Sequence, residues 1–433
     1  MNLPAQLRER QELNDEVHAR PPELLRAPVA IIYVAMLSGT DRIQDEINHI
    51  SRICRMHGVA PPVPPTNHFV ASFGRTRLKW ERHTEFSRYH IMYEADRGDP
   101  FDAASLQGIP DDWIAALPGE LLVATRVAMI GGSAADFDPD AIASAHFGGN
   151  ILIGSAVSGG KGIALADFRI RPDGMSRMLM LDLGMAPAQA GRIVQRLLEI
   201  DTYRMMALLT LPVARVCGPL LSESGGELAD ITTRLAASDS TGQSVLLERL
   251  MKLEAQIETK FASTQYRFSA AVAYYELVRS RIEELREERI EGLQTFGEFT
   301  ERRLAPAMST CTSVSQRLNA LSARVARSTQ LLATQLAVYR DRQNQTLLET
   351  MARRAKLQLR LQQTVEGLSV AAITYYLVGL VGYAAKGVSA LGLKLNAELV
   401  TGLSIPVVAI LVAYGVKGLR RRLGLAERSA DLD

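Results

Sequence analysis

Cysteine is scarce. The chain has three in 433 residues, Cys54, Cys217 and Cys311, far apart and never in a CxxC pair. That excludes a disulfide framework and a cysteine-rich zinc knuckle. Excess charge is nearly absent too, with 49 Lys and Arg against 47 Asp and Glu, a formal net of +2. A dedicated nucleic-acid binder carries a stronger basic bias, so no nucleic-acid partner is expected. Among the seven histidines (His18, His49, His57, His68, His83, His90, His146) there is no HExxH and no pair at ligand spacing on one clear helix. No metal and no cofactor is expected on that basis. No Gly-x-Ser-x-Gly elbow occurs, which leaves little case for an enzyme. The first 23 residues are polar and charged without an apolar core, unlike a secretory signal peptide.

Hydrophobic residues make up 47% and charged ones 22%, a globular composition. The mean hydropathy of +0.02 is high, and the excess is concentrated toward the C-terminal end. Leu368–Ala385 (LSVAAITYYLVGLVGYAA) and Leu399–Val416 (LVTGLSIPVVAILVAYGV) carry no charge at all. Each has about 18 residues, at the short end of the roughly 17–25 that cross a bilayer. A buried core hairpin is the alternative. Three features favour membrane spans: both segments are apolar on all faces, both contain Gly or Pro406, and basic residues crowd both outer flanks. Arg353, Arg354, Lys356 and Arg360 precede the first, and Lys417, Arg420, Arg421 and Arg422 follow the second. The linker holds only Lys386, Lys394 and Glu398. The positive-inside rule therefore puts both long flanks in the cytoplasm and the linker outside.

Upstream, residues 1–28 form a polar segment rich in proline near its end. Val29–Leu37 (VAIIYVAML) reads as a buried strand, and 41–57 as a helix with Ile43, Ile47, Ile50 and Ile53 on one face. Strand-like pieces follow at 68–73, 77–83, 85–93, 121–130, 150–157, 162–170 and 175–183, predicting an α/β sandwich over 29–185. Helix formers dominate 186–366. Within it 188–211 reads as an amphipathic helix ended near Pro212, and Pro306 as a helix start. A helix over 307–366 would run roughly 90 Å at 1.5 Å per residue. Its heptad-like seam is Leu318, Leu321, Val325, Leu332, Leu336 and Tyr339. Such a seam must lie along an earlier helix, another subunit, or both. The predicted fold is thus α+β: a cytosolic α/β sandwich (29–185), a helical stalk (186–366), a transmembrane hairpin (367–417) and a basic tail (418–433).

Two stretches invite chemical readings. Gly154–Gly162 has a glycine-rich pattern, but the first glycine a phosphate loop requires falls on Ser155 and a glycine follows Lys161. A hairpin turn is the expected reading. The cluster Lys79-Trp80-Glu81-Arg82-His83-Thr84-Glu85 is the densest in polar groups. Strand alternation would put Lys79, Glu81 and His83 on one face, as an acid–base pair or a salt-bridged strand.

The block Leu13–Pro21 (LNDEVHARP) and the block Leu78–Phe86 (LKWERHTEF) resemble the signatures of an uncharacterised, membrane-anchored bacterial family. The resemblance spans essentially the whole chain and implies no activity. It directs attention to His18, Arg20, Trp80, Glu81 and His83, joined by Lys79 as the candidate cluster. The order of cytosolic α/β domain, stalk, two spans and basic tail is also similar to CorA-type divalent-cation channels. In those a pentamer lines its pore with the first span, closed by a Gly-Met-Asn motif. Here that place reads Gly382-Tyr383-Ala384-Ala385-Lys386, without Met or Asn and with a positive charge, against magnesium selectivity. Thr374, Tyr375, Gly379, Gly382, Tyr383 and Lys386 are the candidate pore or span-packing residues. The expectation is a multi-pass protein of the bacterial inner membrane, its partners the lipid bilayer and further copies of itself. A CorA-like transporter or channel relative is the leading function, with an anchored scaffold or sensor, or an anchored enzyme, as alternatives.

Overall fold

A computed structural model describes residues 6–11, 14, 22–95, 98–103, 106–237, 240–390 and 396–430; at 237, 240–241 and 419–430 it describes backbone alone. Two compact units divide the chain at Gln330 and Leu331.

The first unit is built on a nine-stranded mixed sheet. Its strands are β1 (Val29–Leu37), β2 (His68–Phe73), β3 (Thr76–Arg82), β4 (Phe86–Glu94), β5 (Glu120–Gly131), β6 (Ile153–Val157), β7 (Gly162–Ala166), β8 (Ser176–Asp182) and β9 (Glu288–Arg289). The order is β2-β3-β4-β1-β5-β8-β7-β6-β9. Among the described residues these strands pair antiparallel except β5 with β8, which are parallel. β1 is central and its interior residues are buried on both faces, which is why its sequence is apolar without alternation.

The helices of this unit are α1 (Ile43–Met56), α2 (Asp111–Ala115), α3 (Pro139–His146), α4 (Pro187–Leu208), α5 (Thr210–Ala237), α6 (Ser240–Leu285) and α7 (Phe296–Arg303). Each half of the sheet is a strand, a helix and a three-strand meander whose last strand pairs with the first: β1-α1-β2-β3-β4, then β5-α3-β6-β7-β8. Ile47, Ile50 and Ile53 of α1 join Ile32, Leu78 and Trp80, while Ala143 of α3 joins Ala128, Leu165 and Leu179. Ala30 stands opposite Ala128, so α1 and α3 cover the same face. On the other face Ile193, Leu197 and Ile200 of α4 and Ala271 and Val278 of α6 pack on Tyr33, Val127 and Met178. Residues beyond 185 therefore supply one layer of the sandwich.

The long helix α8 (Ala305–Ala390) begins with Pro306 in its first turn and runs without interruption through the first uncharged stretch. In the first unit Leu318, Leu321 and Val325 are buried, and Ser322 bonds Glu258 of α6 at 3.3 Å. The earlier helix is thus what this part of the seam lies along. Leu332 is buried and Tyr339 exposed. The 188–211 segment ends as α4 at Leu208, but Pro212 sits in the first turn of α5 rather than in a loop, a position where the missing N–H costs nothing. The Gly154–Gly162 stretch is the β6–β7 hairpin, turning through Ser158, Gly159 and Gly160 at φ 59°, 65° and 75°.

In the second unit α8 is followed by α9 (Ala397–Ala430). Among the described residues three helical runs are long and apolar enough, by length and composition, to cross a membrane: Pro187–Ala236, Phe296–Ala390 and Ala397–Gly418. The first, which sequence reading did not count, is one-third buried over its most apolar stretch, against 11% and 0% for the others. Its α4 portion also carries Glu199 and Asp201 into the core of the first unit.

Candidate functional site

The cluster Lys79–His83 is split between three surroundings. Strand alternation turns Trp80 and Arg82 toward α1. There Glu46, fully buried, accepts from Trp80 Nε1 at 3.0 Å, Ser87 Oγ at 2.7 Å and Arg82 at 3.3 Å. A second Arg82 nitrogen donates to the Gly39 carbonyl at 2.5 Å. This pins α1 to the sheet through a carboxylate whose oxygens are all engaged.

Lys79 and Glu81 point to the opposite face. Glu81 is fully buried and holds Arg88 Nε at 2.6 Å and Lys79 Nζ at 3.1 Å, with His90 Nε2 3.7 Å away. Arg88 also reaches Glu199 of α4 at 3.2 Å. Glu199 in turn takes Gln195 at 2.8 Å and Arg281 of α6 at 2.5 Å. Arg281 then meets Glu284 at 2.5 Å, and Glu284 meets Arg196 at 2.8 Å. The result is one chain of alternating charge, Lys79–Glu81–Arg88–Glu199–Arg281–Glu284–Arg196, running from the sheet to the surface. Burial by itself would raise the Glu81 carboxyl, but Arg88, His90 and Lys79 hold it down at about 2. His90 goes the same way for a different reason: burial first, then Arg88, push it down to about 3. Near neutral pH Glu81 is charged and His90 neutral. Neither is poised to exchange a proton there.

His83 lies past the end of β3. Its ring stacks on Phe86 with centroids 4.5 Å apart. It lines a cleft of about 520 Å³ together with Asn67, Thr84, Tyr203 and Tyr274. At the same turn Glu85 pairs with Arg267 and accepts from Tyr274 Oη at 2.8 Å, so α6 is tied to the turn. Glu81 and His83 thus occupy different environments, the core and a cleft. His18 and Arg20 lie outside the described residues.

Sequence reading missed Glu46, Arg88, Glu199 and Arg281. A signal existed for two of them. Glu46 and Glu199 are carboxylates on the apolar stripes of their helices, where an unpaired charge would cost several kcal/mol. Their partners were not readable. All three cysteines are buried and free. Among the described residues no group of three or more His, Cys, Asp and Glu could hold a metal ion.

In the second unit Gly382 of α8 approaches Thr401 of α9 so closely that a Cβ on the glycine would sit 3.1 Å from the threonine Oγ1. Thr374 bonds back to the Val370 carbonyl at 2.7 Å. Tyr375 and Tyr383 point outward, 78% and 77% exposed, and nothing lies within 4 Å of a Cβ built on Gly379. Lys386 is exposed, as are Arg353, Arg354, Lys356, Arg360 and Lys417, while the Arg420, Arg421 and Arg422 side chains lie outside the described residues.

Fold and site together define a mixed α/β domain with an ionic spine beneath its sheet, continued by long apolar helices. The chain belongs to the family described as Protein of unknown function (DUF3422), whose model matches residues 5–423. No curated protein and no solved structure matches it. The uncharacterised family expected from the sequence blocks is therefore the right kind of family.

Proposed function

We propose that this protein is an inner-membrane sensor or scaffold of CorA-like architecture, anchored by the hairpin of α8 and α9, with both termini cytoplasmic. The observation that carries the anchor is the exposure of the two uncharged segments. Their apolar side chains have almost no cover within the chain, and an apolar surface of that extent calls for lipid or a partner. The close approach of Gly382 to Thr401 favours spans that pack on each other, as small residues and threonine do between membrane helices. The sensor reading draws on the spine, which links the sheet to α6 by charge. Truncation before Leu368 tests the anchor. The shortened protein is expected to leave the membrane fraction; if it still resists alkaline carbonate extraction, the anchor lies elsewhere.

The order of elements also favours a second reading, an ion-conducting relative of the CorA-type channels. Lys386 then stands where a neutral mouth is needed. One positive charge about 4 Å from a divalent ion repels it by roughly 2 kcal/mol in water, more at lower dielectric. Magnesium flux into liposomes separates the two readings. Robust uptake by the native protein, unaltered by Lys386→Asn, would favour the channel.

A further inference from the structure

The surface end of the ionic spine opens into a second cleft, of about 620 Å³, whose lining includes Arg192, Arg196, Arg286, Glu284 and Gly159. Three arginines from two separate segments converge on it. Arg196 is held by Glu284 at 2.8 Å. Arg192 and Arg286 are exposed and, among the described residues, sit in no ion pair. Arg286 lies just beyond the end of α6 at φ 50°, the left-handed conformation in which helices commonly end. The β6–β7 hairpin, with Ser158 and Gly159, closes the other side. The lining sets these three arginines against two carboxylates, Glu284 and Glu288, and so carries a net positive charge.

We propose that this cleft binds a phosphoryl-bearing small molecule through Arg192, Arg196 and Arg286, and that Glu284 competes with it for Arg196. Guanidinium forks match phosphate oxygens in geometry as well as charge. The volume falls within the range of small-molecule sites. A phosphoryl group that takes Arg196 releases Glu284, which is then free to bind Arg281 alone. Arg281 also holds Glu199, so occupancy is read at the contact between α4 and α6. This deepens the sensor reading and rests on it only for the purpose of the signal; the site itself does not require the membrane anchor.

The test uses the full-length protein in detergent, with pyrophosphate as the probe and calorimetry at low salt as the readout. Native protein is expected to bind saturably. Arg192→Gln with Arg286→Gln should weaken binding by about tenfold or more, the loss of two charge-assisted contacts. Glu284→Gln should strengthen binding by roughly threefold or more, because a neutral amide competes less for Arg196. A merely structural role for Glu284 would weaken it instead. Hydrogen exchange over 278–286 should change on binding in the native protein. Vesicles bearing phosphatidic acid, titrated in parallel, distinguish a lipid headgroup from a soluble phosphoryl ligand; preference for the vesicles would overturn the soluble ligand. Absence of saturable binding, or binding unchanged in the double arginine variant whose unfolding matches native, would overturn the site. Retained carbonate resistance in that case leaves the anchor untouched.

Discussion

Replacing Glu81 with glutamine removes the carboxylate on which Arg88 and Lys79 converge in the core. The native carboxyl is lowered from 4.5 to about 2, so its ionised form is favoured by folding. That difference corresponds to about 3 kcal/mol near neutral pH. Removing one partner from a buried pair has a similar scale, about 3–5 kcal/mol, since the remaining cations lose their compensation. Because the folded value lies below the unfolded one, the contribution is complete above about pH 5 and is lost as pH falls toward 2. The assay is urea unfolding of the full chain in detergent, followed by tryptophan fluorescence. Both tryptophans, Trp80 and Trp113, are buried in the first unit, so the signal reports the sheet domain. The expected native-minus-variant difference is about 3 kcal/mol at pH 7, shrinking to roughly 1–1.5 kcal/mol at pH 3. A difference below about 1 kcal/mol at pH 7, or one that does not change with pH, would refute the reasoning.

His90→Gln tests the neighbouring group. The native imidazole is lowered from 6.5 to about 3, so native stability should fall by about 1.5–2 kcal/mol between pH 6.5 and 5 as the unfolded chain takes up the proton. The glutamine variant should lose that slope, in a window above the one Glu81 governs; an unchanged slope would assign it to another group. Gly191→Ala drives a Cβ into the Glu23 carbonyl oxygen, forcing the 22–28 segment off α4. A loss of about 3 kcal/mol or more is expected, and native-like unfolding would show that the segment yields freely. On α8, Leu347 and Met351 are 61% and 66% exposed. If copies of the chain associate there, Leu347→Asp with Met351→Asp should lower the mass seen by light scattering in detergent. An unchanged mass would exclude this part of α8 as the contact.

Much of the first unit was legible in sequence because periodicity is local. Val29–Leu37 and the helix beginning at Ile43 need only their own residues to declare strand and helix. The two uncharged stretches and their basic flanks are equally local signals. The helix over 307–366 and the span after it were each readable, but the change from charged to uncharged residues near 367 suggests a division where the structure has one helix to Ala390. What only the tertiary structure decided is which charges meet. Arg88 and Glu199 are 111 residues apart and Arg281 and Glu199 are 82 apart, distances over which no spacing rule operates. For Lys79, Glu81 and His83 local spacing decided only part of the placement. Alternation correctly turned the first two to one face, but the end of β3 at Arg82 released His83 from that register into the cleft. Hydrophobic patterning sorts residues into faces. Which charges pair is set by how strands and helices dock: Arg88 and Lys79 of the sheet make a buried Glu81 tolerable, and α4 and α6 bring Glu199 and Arg281 to extend the chain to the surface.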